Sequence, residues 1–272
     1  MNYRHAFHAG NFADCFKHAI LVWCIRAMQR KDRPVLFLDT HAGIGRYDLS
    51  GPEASRTGEA LRGILRLRDD PHPTLADYVA LATSLGEASY PGSPELFCML
   101  ARPCDRVALV ELHPEDSALL RKAFRARAQV HERDGYEALG ALLPAPEKRA
   151  LVLVDPPFES ADEFDRLFAA LATADARMRA AVVLAWYPIK DRAAPRAFHD
   201  RLRASDLPDL VAAELVVREP VDAARLNGCG IILKNPPFGF EAALPAMLDA
   251  LLARLGDGEA GAGVRLVRLA DE

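Results

Sequence analysis

Short apolar runs recur along the chain at spacings that predict a repeated strand and helix pattern. Runs of four to six apolar residues bounded by polar residues, Gly or Pro are typical of strands buried on both faces. We expect a doubly wound α/β fold with a mostly parallel sheet of seven strands. The predicted strands are Pro34–Asp39, Arg106–Glu111, Gln129–Glu132, Ala150–Asp155, Ala181–Trp186, Ala213–Arg218 and Gly230–Lys234.

The segment from Asn11 to Lys31 has the period of an amphipathic helix. Asn11 is expected to cap its start, with Asp14 three residues later. His18 falls nearly opposite the apolar side, and Lys17 lies between the two faces. The polar side is either exposed to solvent or turned toward a ligand site at the first strand. The apolar side consists of Phe12, Phe16, Ala19, Ile20, Trp23 and Ala27.

A glycine-containing loop, Thr40–Gly45, follows the first predicted strand. Such loops let the backbone approach a ligand closely, and His41 lies within it. A nicotinamide-binding loop would carry a third glycine where this chain has Asp48, and a helix would follow at once. Neither condition is met, which disfavours a nicotinamide-dependent oxidoreductase.

The stretch from Arg46 to Tyr90 is polar and predicts an inserted helical subdomain, so residues 1–45 and 91–272 would form the main domain. Arginines of the insertion either contact a polyanion or form an ordinary solvated surface with neighbouring acids. After the insertion, Ser93 is predicted as the N-cap of the next helix, with Pro94 at its first position.

Acidic residues stand at the carboxyl ends of consecutive predicted strands. Glu111 ends the second strand, and its carboxylate can accept hydrogen bonds from both hydroxyls of a ribose. Asp134, followed by Gly135, closes the third strand and can accept a hydrogen bond from an adenine amino group. Each acid alone is typical of a strand-end turn. In order at one edge of a sheet, they predict a nucleoside-binding site.

The fourth strand ends in Asp155-Pro156-Pro157-Phe158. The prolines lack backbone N–H groups and fix φ, which keeps carbonyls of the turn unpaired. The Asp155 carboxylate and the Pro156 carbonyl can accept hydrogen bonds from an exocyclic amino group while Phe158 stacks on its ring. This turn predicts a pocket for a planar amine.

A second copy of the turn, Asn235-Pro236-Pro237-Phe238, follows the seventh strand. The order of the strands separates the two copies, because a doubly wound sheet binds ligands at the carboxyl ends of its central strands. The fourth strand is expected to be central and the seventh to be antiparallel. We therefore assign the chemistry to Asp155 and a structural turn to Asn235.

Composition limits the class of protein. The chain has 272 residues, half of them hydrophobic, and a net charge of −4, which is mildly unfavourable for nucleic-acid binding. Residues 1–33 are locally basic, with six Lys and Arg against two Asp. No leader or membrane-spanning run is seen, so we expect a cytoplasmic protein. Five cysteines without paired spacing predict reduced thiols, with neither disulfides nor a metal site.

Taken together, these segments resemble the bacterial 23S ribosomal RNA adenine-N6 methyltransferase J family. The matching segments run almost end to end along the chain. They are Tyr3–Asn11, Lys17-His18, Leu38–Tyr47, Arg56–Glu59, Tyr90–Pro94, Glu111–Pro114, Asp155–Pro157, Trp186–Pro188 and Asn235–Pro237. One departure is Phe158, which stands where the family commonly has tyrosine, so stacking is kept and a phenolic hydrogen bond is lost.

The resemblance implies a class I S-adenosylmethionine-dependent methyltransferase fold, Rossmann-like, with an N-terminal helical arm. It implies S-adenosylmethionine as methyl donor, 23S ribosomal RNA as partner, no obligatory protein partner and a monomer. Asp155 matches the catalytic acid, with Pro156 and Phe158 beside it, and Tyr3 and Lys17 are expected at the substrate. By matched position, the cofactor contacts fall on His18, His41, Ser93, Glu111, Asp134, Gly135 and Asp155.

The expected reaction is methyl transfer to N6 of one adenine in free or partly assembled 23S ribosomal RNA. Alternatives are a DNA adenine-N6 or protein-amide methyltransferase, because the same turn serves any planar amine. A non-catalytic RNA-binding module with this fold is a different class of function. It is disfavoured because RNA binding alone needs neither Asp155, Glu111 nor the glycine loop.

Overall fold

The computed structural model describes residues 5–69, 72–256 and 258–272. Eight strands form the central sheet in the order β5-β4-β1-β6-β7-β9-β8-β10, and β2 and β3 form a separate antiparallel pair. The strands are β1 (Leu36–Asp39), β2 (Arg46–Asp48), β3 (Ser89–Pro91), β4 (Arg106–Glu111), β5 (Gln129–Glu132), β6 (Ala150–Val154), β7 (Val182–Ile189), β8 (Leu210–Val216), β9 (Gly228–Lys234) and β10 (Gly263–Ala270).

The sheet has the expected class of topology. Strands β5, β4, β1, β6 and β7 are parallel neighbours, and β6 lies in the middle of the sheet. Strand β9 runs antiparallel to both β7 and β8, as predicted for the seventh strand. The prediction of seven strands was one short, because β10 pairs antiparallel with β8 at the edge. Its apolar residues alternate with Arg265 and Arg268, so it lacks the continuous apolar run of a buried strand.

Helices cover both faces of this sheet, and side chains alternate between the two faces along each strand. Phe37 packs into the core on one face with Phe16 of α1, whereas Leu36 and Leu38 pack into the core on the other with Leu167 of α8. The helices are α1 (Phe12–Gln29), α2 (Pro52–Thr57), α3 (Ile64–Asp69), α4 (Ala76–Thr83), α5 (Ser93–Leu100), α6 (Pro114–Phe124), α7 (Gly135–Leu142), α8 (Glu163–Arg177), α9 (Ala193–Arg203) and α10 (Phe240–Leu255).

Helix α1 begins as the sequence predicts. The side chain of Asn11 caps it by accepting a hydrogen bond from the Asp14 amide at 2.9 Å. Its polar side is also buried, because Asp14, Lys17 and His18 are each less than 5 % exposed. Of the two alternatives for this polar side, exposure to solvent is therefore excluded for His18. The helix packs between the sheet and α10, so both of its sides are covered.

The segment between β1 and α5 packs against the start of α1. It contains β2, β3, three short helices and 3₁₀ turns at Glu59–Arg62 and Pro73–Leu75. The Ile64 amide donates to the Gly10 carbonyl at 2.9 Å, and the Asn11 side chain donates to Glu59 at 2.9 Å. A Cβ on Gly63 would lie 1.9 Å from the Gly10 carbonyl oxygen, so only glycine fits there. The division of the chain into a main domain and an insertion at 46–90 stays a prediction.

Among the residues that the structure describes, no helix combines the length and apolar character needed to cross a membrane.

Candidate active site

One large cavity, about 1100 Å³ in volume, opens at the carboxyl ends of the central parallel strands. The structure brings nearly all of the predicted site residues to its wall, although their roles stay predictions. Tyr3 lies outside the described residues. The predicted residues that line the cavity are Lys17, His18, His41, Ser93, Glu111, Asp134, Gly135, Asp155, Pro156 and Phe158.

The glycine loop after β1 turns sharply at the cavity wall. Gly43 and Gly45 have φ values of 58° and 80°, a region that favours glycine. The Gly43 amide donates to Glu111 Oε2 at 2.8 Å, and the His113 amide donates to Glu111 Oε1 at 2.7 Å. Burial raises the pKa of Glu111, although these amides oppose the shift. Each carboxylate oxygen keeps lone pairs for a further donor, such as a ribose hydroxyl.

His41 is held in one tautomer by its neighbour. The Thr40 hydroxyl donates its single proton to the Leu153 carbonyl at 3.0 Å. His41 Nδ1 lies 2.8 Å from that hydroxyl oxygen, and this arrangement favours the tautomer in which Nδ1 carries the proton. Burial lowers the pKa of His41 to about 4, so the ring is neutral at pH 7. Nε2 then has a free lone pair on a residue that lines the cavity.

His18 presents a buried nitrogen without a partner to the same cavity. Its Nδ1 is 2.7 Å from the Tyr90 hydroxyl, which lies 3.0 Å from the Tyr78 hydroxyl. Burial lowers the pKa of His18 to about 3. Within the described residues, His18 Nε2 makes no hydrogen bond. A buried polar atom without a partner is costly, so a bound polar ligand at this position would remove a penalty.

Ser93 lies in the wall, but not as the predicted cap. Gly92 occupies the N-cap position of α5, which begins at Ser93, and makes no side-chain cap hydrogen bond. Ser93 instead lies close enough to Asp39 to oppose the rise in the pKa of that acid, a residue that the sequence interpretation had not assigned to the site. Asp39 is fully buried at the end of β1, and burial raises its pKa to about 7. Its position at a strand end, like those of Glu111 and Asp155, was the signal that could have identified it.

Asp134 has a structural role beside the cavity. Its Oδ1 caps α7 by accepting from the Tyr136 amide at 2.8 Å, and its Oδ2 accepts from Arg166 at 2.9 Å. An adenine amino group would therefore have to share an oxygen that already has a partner. Gly135 packs closely on the glycine loop, because a Cβ there would lie 2.0 Å from the Thr40 carbonyl oxygen.

A buried chain of charges connects α1 with the end of β6. Lys17 Nζ lies 2.5 Å from Asp155 Oδ2 and 2.9 Å from Asp14 Oδ1, and His5 Nε2 is 2.9 Å from Asp14 Oδ2. Burial opposes the charged form of Lys17, but the two carboxylates outweigh it and hold its pKa well above the usual value. In Asp14, His5 and Lys17 similarly overcome burial and hold the pKa well below the usual range. Two carboxylates thus share one ammonium, and the His5 ring also contacts Asp14.

Lys17 was predicted at the substrate, and the structure places its ammonium against the predicted catalytic acid. The contribution of His5 was missed from the sequence. Its only sequence signal was membership of the Tyr3–Asn11 segment that resembles the family motif.

The two Pro-Pro-Phe turns lie in different surroundings. Phe158 has a φ of 51°, an unusual value for an aromatic residue, and its ring contacts Phe164 and Trp186 edge-on, with centroids 5.0 and 5.8 Å apart. The side chain of Asn235 instead donates to the Arg179 and Ala181 carbonyls, and Phe238 is 94 % exposed. Neither Asn235 nor Phe238 lines the cavity, which agrees with a structural turn.

The strand order, the glycine loop and the acid at each strand end define a class I S-adenosylmethionine-dependent methyltransferase. The model of a family described as "Ribosomal RNA large subunit methyltransferase D, RlmJ" matches residues 32–267. The chain therefore belongs to the RlmJ family.

Known proteins show the same relationship. The chain is 37 % identical over 264 residues to the Ribosomal RNA large subunit methyltransferase J of Escherichia coli K12, and the match covers 94 % of each protein. The protein of the same name from Haemophilus influenzae is 34 % identical over 264 residues, again with 94 % of each covered. The crystal structure of protein LPL1258 from Legionella pneumophila has a TM-score of 0.86 and 30 % identity, covering 96 % of this chain and 98 % of that one.

Within the described ranges, no group of three or more His, Cys, Asp or Glu side chains is arranged to hold a metal ion. The expected absence of a metal stays a prediction, as does the monomeric state.

Proposed function

We propose that the protein transfers a methyl group from S-adenosylmethionine to N6 of one adenine in 23S ribosomal RNA, in the cytoplasm and on free or partly assembled RNA. The observation that carries this proposal is the position of Asp155. It directly follows the central strand β6, lines the large cavity together with Pro156, and contacts Lys17 through its carboxylate. The names of the relatives supply the class of RNA.

The walls of the cavity fit S-adenosylmethionine, which supplies an electrophilic methyl group when bound. Glu111 would accept hydrogen bonds from the ribose hydroxyls, and the turn at Gly43 and Gly45 admits the backbone close to the ligand. The unpaired His18 Nε2 and the free lone pair of His41 Nε2 provide polar contacts at the same wall. This fit rests on groups that otherwise lack a partner.

The chain's own residues would orient the adenine and receive its proton. Asp155 and the Pro156 carbonyl would accept hydrogen bonds from the N6 hydrogens, which turns the nitrogen lone pair toward the donor site. Such positioning is worth roughly 7–11 kcal/mol of barrier. The Asp155 carboxylate would stabilise the positive charge that develops on N6, and it can accept the released proton.

Phe158 would stack on the adenine ring at the wall of the cavity. Removing an adenine from its helix costs a few kcal/mol, and stacking on an aromatic side chain returns about 1–3 kcal/mol. The ring contacts of Phe158 with Phe164 and Trp186 hold it in place.

The test is incubation with labelled S-adenosylmethionine and an unmodified 23S ribosomal RNA transcript, followed by digestion and mass spectrometry of the nucleosides. We expect N6-methyladenosine at one site, and no label in duplex DNA. Label in DNA or protein amides, or none in RNA despite cofactor binding by calorimetry, would contradict the proposal.

Two variants distinguish the roles of the two Pro-Pro-Phe turns. Asp155→Ala should abolish transfer while cofactor binding stays close to wild type, and thermal unfolding, measured alongside, checks that the variant is folded. Asn235→Ala should keep its catalytic rate, because the Asn235 side chain bonds to the Arg179 and Ala181 carbonyls, and neither of these residues lines the cavity. Full activity of Asp155→Ala would rule out the assignment of the catalytic acid.

A further inference from the structure

Six lysines and arginines line the cavity, and they fall into two groups. Three are neutralised by nearby acids: Lys17 by Asp14 and Asp155, Arg166 by Asp134, and Arg218 by Glu259. The other three, Arg62, Lys190 and Arg225, are exposed and form no ion pair with any residue of the described ranges. An exposed cation at a cavity wall without a protein counterion is available to an anionic ligand.

Asn227 connects the segments that carry Lys190 and Arg225. Lys190 follows β7 directly, and Arg225 belongs to the connection between β8 and β9. The buried side chain of Asn227 donates to the Lys190 carbonyl and to the Asp222 carbonyl, each at 2.8 Å. Asn227 thus ties this connection to the end of β7, the strand next to β6, and also holds the middle of the connection at Asp222.

The acids nearest to these cations in sequence are occupied by backbone groups. Asp191 accepts from the Ala193 amide at 2.7 Å, and Asp222 accepts from the Ala224 amide at 3.0 Å. These carboxylates stabilise the start of α9 and a turn, and do not pair with Lys190 or Arg225. The two cations therefore keep their positive charge toward solvent.

Arg62 lies on a different element at the same cavity. It ends the 3₁₀ turn Glu59–Arg62, just before Gly63, which packs against the Gly10 carbonyl oxygen. Glu59, the nearest acid in this turn, already accepts from Asn11 at 2.9 Å and lies 3.0 Å from His8 Nδ1. The position of Arg62 is thereby fixed to the start of α1, the helix that carries Lys17.

We propose that Arg62, from the segment between β1 and α5, and Lys190 with Arg225, from the end of β7 and the β8–β9 connection, bind the phosphates that flank the target adenine. This inference rests on the proposed function and names the RNA-contacting residues of that site. An adenine that enters a cavity must leave its strand, so the backbone on both sides of it passes over the rim. Cations contributed by separate elements would contact phosphates before and after the extruded nucleotide. Phosphate contacts position the strand without reading its sequence, so the ligand is single-stranded RNA held by its backbone.

The test compares two triple variants. In the first, Arg62, Lys190 and Arg225 are changed to Gln. In the control, Arg125, Lys148 and Arg179 are changed to Gln. These are also exposed and without ion pairs among the described residues, but they precede β5, β6 and β7 at the opposite edge of the sheet. Both variants lose the same charge, so a difference between them reports position rather than net charge.

For the first variant, we expect the KM for the RNA transcript to rise by roughly fivefold for each cation at about 0.1 M salt. The slope of log KM against log salt should become shallower by about 0.7 for each lost contact with a single strand. The kcat at saturating RNA and the affinity for S-adenosylmethionine should stay unchanged, and the control should match wild type. The three single variants, with thermal unfolding measured for each, serve if the triple variant fails to fold.

Equal KM values and equal salt slopes for the two triple variants would overturn the proposal, as would a loss confined to kcat. Binding of a labelled single-stranded RNA oligonucleotide is measured in parallel by fluorescence anisotropy. If wild type binds this RNA but methylates none, the proposed function fails. The difference in RNA affinity between the two variants still supports or overturns the phosphate site.

Discussion

Replacing Lys17 by Met removes the ammonium that joins α1 to the end of β6. Met has a similar length and no charge, so the substitution keeps most of the packing and leaves Asp14 and Asp155 without their common partner. The side chains of Lys17, Asp14 and Asp155 are 5 %, 2 % and 15 % exposed. Water can therefore hydrate the uncompensated charge of Asp155 but not that of Asp14.

The loss of stability expected for Lys17→Met follows from this burial. Removing one partner of a buried ion pair typically destabilises a protein by about 3–5 kcal/mol, because the remaining charge is left uncompensated. Asp14 still has His5 and the Gly10 amide, each at 2.9 Å, and Asp155 is partly hydrated, so we expect the lower end of that range. Against a total stability of about 5–15 kcal/mol for a native protein, this is a large fraction.

Urea unfolding of four proteins measures this effect: wild type, Lys17→Met, Asp14→Asn and the double variant. Adding Asp14→Asn to Lys17→Met should recover part of the lost stability, because it removes one of the two uncompensated charges. The double-mutant cycle should give a coupling energy between Lys17 and Asp14 of about 0.5–3 kcal/mol. Methyl transfer should remain severely impaired in both proteins that lack Lys17. Substitutions at surface sites usually change the free energy of unfolding by less than about 0.5 kcal/mol. If the free energy of unfolding of Lys17→Met lies that close to the wild-type value, the inferred buried charge chain is wrong.

Three further predictions concern single residues. Burial raises the pKa of Asp39 to about 7, so its protonated form contributes stability that is complete below pH ~4 and lost as the pH rises through about 7. The unfolding free energy of wild type relative to Asp39→Asn should fall by on the order of 2–4 kcal/mol over that window, and a pH-independent difference would contradict this. Gly63→Ala should destabilise by about 1–3 kcal/mol or more in urea unfolding, because its Cβ would meet the Gly10 carbonyl, whereas Gly140→Ala, with nothing within 4 Å, should be neutral or stabilising. Phe158→Leu should lower kcat/KM for RNA by the equivalent of about 1–3 kcal/mol and Phe158→Tyr should not; equal kinetics for Leu and Phe would exclude stacking.

The parallel strands and the strand-end acids could be predicted because both depend on local sequence. A continuous apolar run identifies a strand buried on both faces, and the residue after it must emerge at the sheet edge. Strand β10 could not be found in this way, since its arginines interrupt the run at a half-covered edge. The N-cap at Asn11 was likewise a local feature, confirmed by its hydrogen bond to the Asp14 amide.

Features that depend on contacts between distant parts of the chain were harder to predict from the sequence. The helical period placed His18 opposite the apolar side, but it could not show that Tyr78 and Tyr90, from the segment between β1 and α5, bury that side as well. The raised pKa of Asp39 arises from burial, and the tautomer of His41 arises from the Leu153 carbonyl, which accepts the Thr40 proton from a neighbouring strand. The support of Lys190 by Asn227 requires two strands to be paired before it becomes visible.

The contact between Lys17 and Asp155 joins residues 138 positions apart, which also governs when the centre can form during synthesis. At about 5–20 residues per second, on the order of ten seconds separate the two residues on the ribosome. Helix α1 is translated first, and throughout that interval its Lys17 has no Asp155 to contact. Its charged side must stay hydrated until β6 is available, so α1 cannot complete its packing as an independent N-terminal unit. The charge chain thus makes closure of the active site a late event in the folding of the nascent chain.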